Sequence, residues 1–186
     1  DTEKAFALAR KIGFDNINTD LIAGLPGDNF ESFKDTLAKI INLDPESVTV
    51  HSLSMKRAST LTAKGSFPEL EMGAEASKMV KYARETLTQN GILPYYMYRQ
   101  SKTVGNLENV GYSKSGCEGL YNVYIMDETH TILACGASAV TKLKDTASKT
   151  IKRIFNFKYP YEYISGFDEL MNRKQEIGEF YDKYFK

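Results

Sequence analysis

The stretch from Asn16 to Phe33, NINTDLIAGLPGDNFESF, constrains the chain more than any other. Ile17, Leu21, Ile22 and Ala23 form the apolar body of a strand, of the kind found in parallel sheets covered on both faces. Asn18 and Asp20 interrupt it. With a period of two they share a face with Ile22, opposite Thr19, Leu21 and Ala23. One face therefore carries two polar groups where a plain core strand carries Val or Ile. Gly24 and Pro26 end the strand, and Asp28 or Asn29 is placed to cap the helix that follows. A carboxylate in the middle of an α/β layer is either paired with a neighbouring lysine or backbone amide, or it meets a ligand. The residues alone leave both readings open for Asp20 and Asn18.

The surrounding order is helix, strand, helix, strand with short connections, the rhythm of a parallel sheet. Asp1-Thr2-Glu3 leads into an amphipathic helix with Ala5, Leu8, Ala9 and Ile12 on one face. After Asn16–Leu25 comes a helix from about Phe30 to Leu43, striped by Phe33, Leu37, Ile40 and Ile41. A second strand runs from Ser47 to Ser54. A polar loop from Met55 to Leu70 precedes a long helix from about Glu71 to Gln89, with Ala76, Met79, Val80, Ala83 and Leu87 spaced as a core face. Asn90-Gly91 closes it. Beyond Pro94 the pattern predicts antiparallel strands: Tyr95–Arg99, Gly119–Met126, and His130–Gly136 after a hairpin turn at Asp127-Glu128-Thr129. Thr150–Phe157 reads as an edge strand and Phe167–Tyr184 as a terminal helix with Leu170, Lys174, Ile177 and Tyr181 on one side.

The balance of 24 basic and 24 acidic residues gives no basic footprint for nucleic acid. No apolar run is long enough to span a bilayer, and no signal-peptide pattern opens the sequence. Cys117 and Cys135 stand far apart without a C-x-x-C, so neither a disulfide framework nor a zinc knuckle is indicated. A reduced, cytoplasmic setting is the default. The first residue is not Met and the chain enters midway through a βα succession, so it reads as a piece of a longer protein.

The run N-x-D-L-I-x-G-L-P followed by E-S-F, carried by Asn18, Asp20, Leu21, Ile22, Gly24, Leu25, Pro26, Glu31, Ser32 and Phe33, closely resembles the oxygen-independent coproporphyrinogen III oxidase family of radical S-adenosylmethionine enzymes. The resemblance implies the C-terminal portion of a partial (β/α) barrel, extended by antiparallel strands and a C-terminal helix. Its expected divisions are barrel βα units over residues 1–99, a strand extension over the cofactor at 100–157, and a helical segment at 158–186. The implied chemistry is oxidative decarboxylation of propionates on a tetrapyrrole to vinyl groups, with S-adenosylmethionine, a [4Fe–4S] cluster and an electron donor for that cluster.

Site residues follow motif by motif. The resemblance puts Asp20 in contact with S-adenosylmethionine, where a carboxylate accepts hydrogen bonds from ribose hydroxyls or an ammonium, with Asn18 beside it. Ser54 falls where the family places another cofactor contact. The small residues Gly136, Ser138 and Ala139 let backbone approach a ligand closely, and Val140 falls at an apolar contact to the cofactor. His51 stands where the family usually has tyrosine, and Lys56-Arg57 replace Glu-Pro. Those two cations are either a solvated loop or partners for tetrapyrrole carboxylates. The related heme-chaperone branch carries H-N-x-x-Y-W where this chain reads Glu108-Asn109-Val110-Gly111-Tyr112-Ser113. Glu108 offers no imidazole to iron, which counts against chaperone work. The alternative of a heme-binding chaperone or insertase of the same fold, or of a radical enzyme with another substrate, stands beside the oxidase reading. The C-x-x-x-C-x-x-C cluster ligands do not occur in this chain, so taken alone it is expected to be inactive.

Overall fold

The computed structural model describes residues 1–54, 69–100, 103–145 and 150–184. By contacts the chain forms two compact units, Asp1–Gly119 and Leu120–Lys186. Lys56 and Arg57 lie outside the described residues.

The first unit is an α/β layer. Helix α1 (Thr2–Ile12) precedes β1 (Asn18–Ala23), α2 (Phe30–Asn42), β2 (Ser47–Ser52), α3 (Glu69–Gln89), β3 (Leu93–Tyr98), a single 3-10 turn (Val104–Asn106) and β4 (Asn109–Ser113). The strands form one mixed sheet in the order β1-β2-β4-β3. β1 and β2 run parallel, Asp20 beside Thr49 and Ile22 beside His51, while β4 is antiparallel to both β2 and β3. Asn29 is the cap of α2. Its side chain accepts from the Ser32 amide at 3.0 Å and the Ser32 hydroxyl accepts from the Asn29 amide at 3.0 Å, a reciprocal box that satisfies two otherwise orphaned donors.

Helices α2 and α3 cover one face of this sheet. Phe33, Leu37 and Ile40 from α2 and Met79, Ala83 and Leu87 from α3 share a core with Leu21, Ala23, Val48, Val50 and Tyr112. The expectation that β1 is covered on both faces is therefore corrected. Burial alternates strictly along the strand: Thr19, Leu21 and Ala23 are buried, while Asn18, Asp20 and Ile22 are exposed. No described helix lies over that second face. The α1 stripe is also corrected, because Leu8 and Ile12 are exposed and Phe6 is the buried residue. Arg10 sets this rotation by lying over the Phe6 ring at 5.0 Å and pairing with Glu46 at 2.6 Å. The NLENVGY stretch ends in strand β4. There the Asn109 side chain accepts from the Ser52 amide at 2.7 Å, tying β4 to the end of β2.

The second unit departs further from the sequence pattern. Leu120–Asp127, predicted as a strand, is helix α4. Its residues are apolar on all sides without alternation, a pattern that periodicity cannot assign to helix or strand. No strand partner stabilises an extended form. The Asp127 carboxylate then accepts from the Thr129 amide at 3.0 Å and Glu128 takes φ 52°, so the turn leads out of a helix and not into a hairpin. Of the expected strand His130–Gly136, only a bridge from Ile132 to Lys142 forms. The antiparallel hairpin lies later, between β5 (Val140–Lys144) and β6 (Ile151–Phe155), the latter inside the expected edge strand. The terminal helix is interrupted, with α5 (Pro160–Ser165), α6 (Phe167–Lys174) and α7 (Glu176–Tyr184) in succession. Leu170 and Phe180 are its buried residues, while Tyr181 is partly exposed. None of the described helices is long and apolar enough to cross a membrane.

Candidate functional site

The open face of the first unit's sheet is polar because the strand register lines up polar residues from both parallel strands. Asp20 sits between two of them. The Asn18 side-chain amide donates to Asp20 Oδ1 at 2.8 Å, and His51 Nε2 lies 3.6 Å from the same oxygen. The Thr49 hydroxyl donates to Asn18 Oδ1 at 3.1 Å and is also hydrogen-bonded to the Tyr96 phenol. Burial raises the Tyr96 pKa and the Thr49 hydrogen bond partly offsets it. Asp20 keeps 61% of its side-chain exposure, and its second oxygen has no partner among the described residues. An acceptor held by one oxygen and open at the other is suited to a ligand's ammonium or hydroxyl groups.

The rim of this face is built where β1 and β2 end together. The Leu53 amide donates to the Ala23 carbonyl at 3.0 Å, and Gly24 follows with φ +84°, the left-handed region where glycine is favoured. A Cβ on Gly24 would stand 3.2 Å from the Ala76 Cβ, so the turn fits tightly under α3. Ser54, next along, bridges to Thr103. Ser54 thus lies just past the carboxyl-terminal end of β2, where ligands of α/β sheets bind, while Asn18 opens β1 and Asp20 is its third residue.

Glu46 anchors the opposite end. Its carboxylate accepts from Arg10 at 2.6 Å and from the Ile17 amide at 2.9 Å, which fixes the entry into β1. Burial pushes its pKa up, but these two hydrogen bonds outweigh it and hold the carboxyl below its ordinary value.

Thr49 and Tyr96 of this face escaped the sequence reading. Tyr96 lies across Gly111, where an added Cβ would stand 1.9 Å from the ring's Cε1. Glycine inside a strand often marks such a close approach, and that was the available signal.

In the second unit, Gly136 (φ +98°) and Ser138 (φ 63°) form a left-handed turn ahead of β5. The Ser138 amide donates to the Phe157 carbonyl at 2.8 Å and its hydroxyl to that of Lys158 at 2.7 Å. Val140 opens β5 opposite Phe155. Nothing lies within 4 Å of where a Gly136 Cβ would be, so the small segment is open on that side.

The open Asp20 oxygen is an acceptor of the kind S-adenosylmethionine's hydroxyls or ammonium would require, and the described residues do not fit the cluster. Asp20 supplies the open acceptor. Among the described residues no group of three His, Cys, Asp or Glu side chains could hold a metal, and Cys117 and Cys135 fall in different units.

No family model matches the chain. It is 40% identical over 174 residues, 94% of its length, to the oxygen-independent coproporphyrinogen-III oxidase-like protein HemZ of Bacillus subtilis, covering 35% of that protein. The chain belongs to the oxygen-independent coproporphyrinogen III oxidase-like proteins. The heme chaperone HemW of Bacillus subtilis is a more distant relative, 29% identical over 143 residues, with 74% of this chain and 34% of that protein covered. Among solved structures, the coproporphyrinogen III oxidase HemN of Escherichia coli, described as a radical S-adenosylmethionine enzyme, matches with a TM-score of 0.59 at 22% identity over 91% of this chain and 38% of that one. That likeness establishes the fold. The chain spans about a third of the length of the curated relatives it matches.

Proposed function

We propose that this chain forms the substrate- and cofactor-facing part of an oxygen-independent coproporphyrinogen III oxidase-like enzyme, acting in the cytoplasm on a propionate-bearing tetrapyrrole. The observation that carries the reading is the open Asn18–Asp20–His51 face across β1 and β2, in a chain 40% identical to an oxidase-like protein. Asp20, with Asn18 orienting it, would accept hydrogen bonds from S-adenosylmethionine. Ser54 at the strand rim and the Gly136–Val140 segment would contribute a polar and an apolar contact. When bound, S-adenosylmethionine supplies hydrogen-atom abstraction, and the chain's own share is to hold the reacting partners and exclude water. Lys56 and Arg57 are proposed partners of the substrate's carboxylates. The barrel, extension and helical divisions at residues 99 and 157 belong to the same reading.

A heme-binding role is the second reading, favoured by the HemW match. Against it, Glu108 stands where that branch carries histidine, and its carboxylate is paired with Arg99 at 2.6 Å.

The test uses the full-length protein, reconstituted with iron and sulfide without oxygen and given S-adenosylmethionine, a reductant and coproporphyrinogen III. Protoporphyrinogen IX together with 5′-deoxyadenosine is the expected outcome. Formation of 5′-deoxyadenosine without a porphyrin product would overturn the substrate. Tight heme binding with neither product would favour the carrier.

A further inference from the structure

Helix α3 carries two adjoining stripes. Ala76, Met79, Ala83 and Leu87 are fully buried, whereas the neighbouring stripe of Val80, Lys81 and Arg84 overhangs β3 and β4. Beneath the overhang is a cleft of about 430 Å³, within the range of small-molecule sites. It lies on the helix-bearing face of the sheet, because its floor residues Val110 and Tyr112 pair in register with Val50 and Val48 of the core. This is the face away from Asp20.

The polar groups of the cleft converge. Lys81 and Arg84 are exposed and enter no ion pair among the described residues. Tyr112 is 1% exposed and lines the cleft. Arg84 acts electrostatically on its hydroxyl. The remaining lining is apolar apart from Ser77 and Glu108, and Glu108 is already neutralised by Arg99.

We propose that this cleft binds a small monocarboxylic acid with an apolar body. Its carboxylate meets Arg84, Lys81 and the Tyr112 hydroxyl, and its hydrocarbon lies over Val80, Val110 and Met97. A planar guanidinium matches a carboxylate in two-point contact.

Decanoate is the probe, titrated into the full-length protein labelled with 13C at the methionine methyls, with the Met97 signal assigned by Met97→Leu. The expected result is a saturable shift of Met97, weakened about tenfold by Arg84→Gln and severalfold by Tyr112→Phe. Decanol, of the same length without charge, should bind more weakly and be indifferent to Arg84→Gln. Equal decanoate affinity in Arg84→Gln would overturn the proposal. So would the absence of a saturable Met97 shift, including the case where a soluble paramagnetic agent fails to reach the Met97 methyl because another segment covers the cleft.

Discussion

His51 Nε2 lies 3.6 Å from Asp20 Oδ1, on the oxygen that also accepts from Asn18. The two side chains meet diagonally, since His51 pairs in register with Ile22 and Asp20 with Thr49. Asp20 is thereby held from both sides while its other oxygen stays open.

His51 is accordingly a positioning residue. His51→Ala should leave stability within about 0.5 kcal/mol, because the ring is partly exposed and removes no core contact. It should weaken S-adenosylmethionine binding severalfold, and His51→Tyr should restore most of it. Equilibrium dialysis with the three proteins decides this, and unchanged affinity in His51→Ala would refute the positioning role.

Gly111 is the tightest backbone approach of the open face. Gly111→Ala drives a methyl into the Tyr96 ring at 1.9 Å, beyond any small adjustment. The substitution should destabilise the protein by about 1–3 kcal/mol in urea unfolding. In a Tyr96→Ala background the same change should cost little. Additive losses in the double variant would show that the clash is not the cause.

Glu46 links stability to pH. Its folded-state pKa is held below its unfolded value by Arg10 and the Ile17 amide against the opposing effect of burial. The stabilisation is therefore present above the unfolded pKa, near 4.5, and is lost as pH falls through the folded value. Glu46→Gln should be less stable than the parent by about 1 kcal/mol at pH 7, with the gap closing in acid. Denaturant melts at neutral and acid pH measure both. A gap that widens as pH falls would contradict the sign.

The first half of the fold was legible because its signals agree with one another. The alternation at Asn18 to Ala23, the cap at Asn29 and the stripe of α2 each point to the same βα unit. The bare second face was not legible, since a run such as Leu21-Ile22-Ala23 looks the same whether one or both sides are covered. Past Gly119 the signals conflict. Leu120–Asp127 combines β-prone aromatics with no alternation, and tertiary context made it a helix. Asp20 was readable as a polar break in a strand. Thr49 and Tyr96 joined it only through sheet pairing, which brings together residues far apart in the chain and leaves no local trace.

The most direct test of the open face as the cofactor site is the affinity of the reconstituted full-length protein for S-adenosylmethionine, measured by calorimetry beside Asp20→Ala. Asp20 is 61% exposed, so the substitution should leave the melting temperature unchanged. The account predicts at least about a tenfold loss of affinity, as expected for deleting a charge-assisted acceptor. Unchanged affinity in a folded Asp20→Ala protein would contradict it.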